Sequence, residues 1–195
     1  GDKERILKTC ADLGHYVADA HVPLHATLNY NGQLTNQHGI HSLLESRIPE
    51  LFNQSYDFVV GPAPLFANPL TYIWEVVLQS SAAVDTVLRC EMEVRLVIPE
   101  GERHVFEERN GRRSKVYSRE YAHQYHQKLN GLVERRLRQS ILAVGSFWYA
   151  AWVDAGQPDL DELLKDSLPE GDSTQIAQEI LRYRQGEWLG RPEAD

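Results

Sequence analysis

Apolar residues recur at helical spacing over most of the chain. Ile6, Leu7, Cys10, Leu13 and Val17 mark a first helix from about Asp2 to Ala20, which stops short of Pro23 because a residue before proline is biased out of the helical region. Residues 26–37 are polar and carry Asn31-Gly32, so they read as a loop with a tight turn. A short helix from about Gly39 to Ser46 is expected to end near Pro49. After the Pro- and Gly-containing stretch Gly61 to Pro69, a helix starts at Asn68 or Pro69. It carries Ile73, Trp74, Val77, Val84, Val87 and Leu88 toward residue 95.

Between residues 99 and 117 the helical period is lost. Pro99, Gly101 and Asn110-Gly111, set between Val105-Phe106 and Val116-Tyr117, predict a polar excursion with a small hairpin. From Ser118 to Asp154 there is no proline, and Tyr121, Tyr125, Leu129, Leu132, Leu137, Ile141, Val144, Trp148 and Trp152 predict one apolar stripe. That is a single helix of about 50 Å, ended by Ala155-Gly156-Gln157-Pro158. Two shorter helices are expected at about 159–166 and 173–187, the second capped by Asp172 or Ser173. The pattern is therefore all-α: a multi-helix bundle with one long C-terminal helix and a small hairpin, 1–195 forming one helical domain.

Composition narrows the chemistry. The chain has 195 residues and a formal net charge of -8, which disfavours gripping long nucleic acid by bulk positive charge. Cys10 and Cys90 are too few for a disulfide framework, and both sit in helical apolar patterns. No run of about 18 apolar residues is present. Arg103, Arg109, Arg112, Arg113 and Lys115 read as a solvated excursion rather than a phosphate clamp, and Trp148 and Trp152 as core.

Five of the eight histidines, His15, His21, His25, His38 and His41, fall in the first quarter of the chain with Asp19 and Glu45. His15 and Asp19 are four apart on the first helix, so they share a face, and His41 and Glu45 repeat the spacing on the next. His25 follows the Pro23 break, where the chain can turn its ring back toward the same point. Imidazole nitrogen and carboxylate oxygen are the usual donors to catalytic zinc, three to an ion with one position left for water. One such pair alone is ordinarily a polar helix face; two flanking a third histidine favour a metal. His104, His123 and His126 read as bystanders, the last two solvated.

The segment His15-Tyr-Val-Ala-Asp19-Ala-His21-Val-Pro23-Leu-His25, followed by His41-Ser-Leu-Leu-Glu45, resembles the HxxxDxHxPLH…HxxxE/D signature of the zinc-dependent phospholipase C and P-one-type single-strand nuclease superfamily. The stretch from Asn29 to His41 and the segment from Phe147 to Pro158 resemble its bacterial branch. Such a resemblance implies an all-helical fold around a trinuclear zinc site, phosphodiester hydrolysis without a covalent intermediate, and periplasmic or secreted proteins. Position by position, it makes His25, His41 and Glu45 the ligands of one zinc and His15 and Asp19 two ligands of a paired site, with Asp19 as the bridge. Asp19 thus has a catalytic role, and His21 a supporting one through a hydrogen bond to a ligand carboxylate. Val22 departs from the commoner Gln.

The resemblance also implies donors to the paired site from an N-terminal half with no counterpart upstream of His15. The chain is therefore expected to be the C-terminal part of a longer zinc hydrolase, inactive by itself, holding one complete zinc site and partnered by that half and by a phospholipid or single-stranded nucleic-acid substrate. Two other readings stand beside it: a short protein with one structural or storage zinc that binds a partner, and a lipid- or nucleotide-binding module that has lost catalysis.

Overall fold

The computed structural model describes residues 3–109, 111–161, 178, 181, 182 and 185. It is mostly helical with one small sheet. Helix α1 is Lys3–Asp19, and a tight turn at Pro23–Ala26 follows. Next come α2 (Ile40–Ser42), a π-helical turn over Leu43–Arg47, and α3 (Ile48–Phe52). Then follow α4 (Pro69–Val97), the hairpin β1 (His104–Arg109) and β2 (Arg112–Tyr117), α5 (Arg119–Lys128) and α6 (Leu132–Asp154). No helix among the described residues is long and apolar enough to cross a membrane.

Local chemistry explains most of these boundaries. Asn68 caps α4 by accepting from the Thr71 amide at 3.0 Å, with Pro69 in the first turn. The helix ends at Val97, before Ile98-Pro99. The hairpin is antiparallel with Arg109 opposite Arg112, and Gly111 takes a positive φ of 73° as a two-residue turn requires. Gly156 (φ 82°) and Gln157 (φ 56°) close α6 through amide bonds back to Val153 and Trp152.

Two expectations fail on local grounds. The predicted 118–154 helix is two helices, because Asn130 and Gly131 both adopt positive φ, 47° and 73°, and end α5. Asn-Gly is a turn signal as strong as proline here. The segment after Gly39 does not stop at Pro49 but runs on to Phe52. Pro49 has no amide to give to Glu45 four residues earlier and would crowd its carbonyl, and the wider π turn relieves that crowding. The expected helix at 159–166 begins at Leu160, and the rest of it, like the 173–187 helix, lies outside the described residues.

The core forms where α4, α5 and the Leu24–Ile48 segment meet. Leu24, Ile40, Leu43, Ile48, Val87, Val94, Tyr121 and Tyr125 are completely buried there. The inward seam of α4 is Val76, Ser80, Val84, Val87, Cys90, Glu91 and Val94. Trp74 lies off it, 60% exposed. The buried face of α6 is made of Val133 and the small residues Ser140, Ala143, Ser146 and Ala150. Trp148 is accordingly not core: it is 45% exposed, its ring against Gly14 and its Nε1 donating to the Cys10 carbonyl at 3.0 Å, which joins α6 to α1. Nor is His126 solvated; it stacks on Tyr56 at 5.7 Å and shares a 2.6 Å hydrogen bond with its hydroxyl.

Inside this core sits a carboxylate. Glu91 is fully buried, and it accepts from Tyr121 Oη at 2.6 Å, from Gln37 Nε2, and from Arg95 Nε at 3.3 Å. Gln37 also donates to the Leu88 carbonyl at 2.8 Å. One anion thereby ties the loop ahead of α2 to α4 and α5. Replacing Glu91 with Ala leaves the partly buried Arg95 without its counter-charge and is expected to cost about 3–5 kcal/mol. Urea unfolding of the variant measures this; a loss under about 1 kcal/mol would show the network dispensable.

Candidate metal centre

The two ligand pairs of the sequence motif lie on separate elements, so their meeting depends on the intervening loop. His15 and Asp19 are on the last turns of α1, where Oδ2 of Asp19 lies 3.3 Å from Nε2 of His15. The chain then turns at Pro23, which is buried with Leu24 against α4 and swings His25 back toward α1. His41 and Glu45 follow on α2 and the π turn.

The loop is rigid for reasons that can be named. Gly32 has φ 74°, and a Cβ there would come within 2.3 Å of the Gln37 carbonyl oxygen. Only glycine fits. Asn29 is buried and bridges the loop, donating to Thr35 Oγ1 at 2.9 Å and accepting from the Leu34 amide at 2.7 Å. Asn31 accepts from the Gly39 amide at 3.0 Å at the entrance to α2. Beyond the turn, Arg47 is buried; its Nε donates to the Tyr117 carbonyl at 2.9 Å and its guanidinium pairs with Glu107 at 2.5 Å, fastening the π turn to the hairpin.

The result is a convergence of donor atoms. Nε2 of His25 lies 3.2 Å from Nε2 of His41, and Oε2 of Glu45 lies 3.3 Å and 2.7 Å from the two. With bonds of about 2.0–2.2 Å to zinc, neighbouring ligands on a tetrahedron sit about 3.3 Å apart, so these atoms outline one face of such a polyhedron. His41 Nδ1 lies 3.1 Å from the Tyr30 carbonyl, a contact that needs a proton on Nδ1 and directs Nε2 inward, where it donates to Glu45 or, with that proton displaced, would face an ion. Asp19 lies alongside, Oδ2 at 3.8 Å from His25 Nδ1. The order across the surface is His15, Asp19, His25, then Glu45 with His41.

Electrostatics favour a charged carboxylate at the centre. Hydrogen bonds from His25 and then from His41 outweigh partial burial and bring the Glu45 pKa down from 4.5 to about 2. All three side chains remain partly accessible, with 25–37% of their surfaces exposed, so an ion and an exchangeable fourth ligand can reach the site.

His21 behaves differently from the expectation. It is 2% exposed, and its Nδ1 bonds to the Val17 carbonyl at 2.8 Å while Nε2 is buried with no partner among the described residues. It bonds to no ligand carboxylate, because its ring turns back along α1. Burial, the largest influence, lowers its pKa to about 4, so the ring is neutral near pH 7. His21 is part of the wall of a mainly apolar cavity of about 140 Å³, together with Val22, Leu44 and Arg136, that reaches Asp19 and Glu45.

Sequence reasoning missed Arg136. Its Nε donates to the His21 carbonyl at 2.8 Å and its Nη2 to Ser80 Oγ at 2.5 Å and the Val76 carbonyl at 3.2 Å, while Ser80 Oγ donates to the Ala20 carbonyl at 2.6 Å. It pins the end of α1, and so Asp19, against α4. Nothing local signals this, since these partners on α1 and α4 are 56 to 115 residues away.

The Glu45 contacts make a pH prediction. A carboxyl whose pKa falls from 4.5 to about 2 on folding stabilises the fold fully above pH about 4.5 and loses that contribution as pH falls through about 2. The stability gap between the metal-free protein and Glu45→Gln is therefore expected to shrink steadily from pH 5 to pH 2 in urea titrations; a constant gap would contradict the contact. Comparison with family models, with curated proteins and with solved structures finds no significant match to this chain.

Proposed function

We propose that this chain carries the zinc-binding portion of a phosphodiester hydrolase of the phospholipase C and P-one-type nuclease kind. The observation that carries the reading is the convergence of His25, His41 and Glu45, whose donor atoms lie within 4.8 Å of one another, with Asp19 and His15 beside them. A helical scaffold and the motif resemblance support it. On this reading His25, His41 and Glu45 hold one zinc completely. His15 and Asp19 are two donors toward a paired site that needs further donors from another segment of the protein.

Zinc bound there supplies Lewis acidity toward a phosphodiester and lowers the pKa of water toward 7. The chain's own residues prepare for this. The Tyr30 carbonyl fixes the His41 tautomer, and Glu45 stays anionic across the physiological range. Asp19, whose Oδ2 lies 3.3 Å from His15 and 3.8 Å from His25, would be the carboxylate shared between this zinc and a paired site. The apolar cavity next to Asp19 and Glu45 gives one side of the site a low-dielectric wall, against which charge interactions strengthen. The acidic net charge favours short or neutral-bodied diesters over long nucleic acid.

Zinc counting and turnover test the reading together. The 195-residue chain is expected to bind one zinc tightly, lost in His41→Ala, and to hydrolyse bis-nitrophenyl phosphate little or not at all. The protein of the complete reading frame should cleave it in a zinc-dependent way, and Asp19→Asn should lower that rate at least about 100-fold. Absence of zinc-dependent cleavage by the complete protein would overturn the hydrolase reading. Zinc retained by His41→Ala would overturn the ligand set and leave a partner-binding role to be tested.

A further inference from the structure

A second cluster of chemistry lies on the hairpin, away from the His25, His41 and Glu45 ligands. Phe106 faces Lys115 and His104 faces Tyr117 across the two strands, so these four side chains share one face. That face, the Arg95 turn of α4 and the Glu100–Arg103 segment enclose an open cavity of about 520 Å³. It adjoins a second of about 210 Å³, His38, His104, Lys115 and Tyr117 lining both.

Charge in the larger cavity is unbalanced. Arg95 is neutralised by Glu91 at 3.2 Å. Arg103 is not paired: its Nε and Nη2 are spent on the carbonyls of Ile98 and Arg95, at 3.0 and 2.9 Å, and Nη1 has no partner among the described residues. The guanidinium is thus locked in orientation with one donor nitrogen to spare. Lys115 likewise has no carboxylate within ion-pair distance among the described residues. Against these two cations the lining offers one acid, Glu100. His104 registers the field, its pKa lowered first by burial and then by Lys115, Arg103 and Arg95. In a chain of net charge -8, a concave site with excess positive charge attracts anions that the rest of the surface repels.

We propose that this cavity binds a phosphate dianion, free or as the end of a small phosphomonoester, between Arg103 and Lys115. Two unpaired cations match the double charge. A guanidinium fixed by carbonyls loses little freedom on forming charge-assisted bonds to phosphate oxygens. The volume exceeds that of a phosphate group, and Phe106, 61% exposed beneath the Arg113 guanidinium, offers an apolar wall for a ring attached to it. None of this depends on the zinc reading.

Calorimetric titration of metal-free, chelator-treated protein with inorganic phosphate and with phenyl phosphate tests the site. Binding of at least one is expected, weakened roughly tenfold in Lys115→Gln and unchanged in Arg89→Gln and His41→Ala. Among the described residues the Lys115 side chain makes no hydrogen bond or ion pair, so its replacement reports the ligand. Tighter binding of phenyl phosphate would identify a phosphomonoester as the ligand; equal affinity would identify free phosphate. Absence of binding for both, or binding unaffected by Lys115→Gln, would overturn the proposal, as would binding abolished by His41→Ala.

Discussion

The structure turns on one buried anion. Glu91 occupies a core position of α4 where an apolar residue would pack without cost, and its desolvation is offset only because Tyr121, Gln37 and Arg95 all supply donors. These partners come from α5, from the loop before α2 and from α4 itself. Arg95 extends the arrangement outward, donating to the Asn36 carbonyl. Strong, directional bonds to a buried charge hold that loop in one conformation, whereas apolar contacts of the same area would let it slide. The loop carries Tyr30, whose carbonyl orients His41, and leads into α2. A core carboxylate thus governs a surface site.

At the site itself, geometry and strain are coupled. Bringing two imidazole nitrogens within 3.2 Å with a carboxylate between them is unfavourable unless a proton or a cation sits among them, so the scaffold must enforce it. Three devices do so: the buried Pro23-Leu24 turn, the positive-φ glycine at 32, and the π turn that accommodates Pro49. Glu45 lies within that π turn, an element common at functional positions because it re-aims a side chain without ending the helix. Arg136 and Arg47 complete the clamp, Arg136 on the carbonyls of His21 and Val76 and Arg47 on the Tyr117 carbonyl and the Glu107 carboxylate.

Arginine performs much of the long-range joining here. Arg47 pairs with Glu107 on the hairpin, whereas Arg136 meets no carboxylate among the described residues and is held by carbonyl, amide and hydroxyl oxygens. Burial lowers its pKa, yet the group stays charged because a guanidinium titrates far above neutrality. Arg103 uses the same device with one nitrogen left over among the described residues, which is what separates a structural arginine from a candidate ligand site.

Much was legible from local pattern. The α1 and α4 limits, the hairpin and the stop at Gly156 follow from backbone rules that act within a few residues: a proline that cannot donate, an asparagine cap, a glycine with positive φ. The spacing of His15 with Asp19 and His41 with Glu45 likewise placed each pair on one face, because helical geometry is local. Where two local signals competed, as at Asn130-Gly131 within an apolar stripe, period alone misjudged the outcome, and it also put Trp74 and Trp148 in apolar stripes although both are exposed and α6 packs largely through small residues. Tertiary structure alone decided that the pairs converge, that Glu91 and Arg136 hold them, and that His21 turns away. The contacts by which Glu91 and Arg136 hold the pairs run between residues 30 to 115 positions apart, and their desolvation and pairing exist only once the helices have packed.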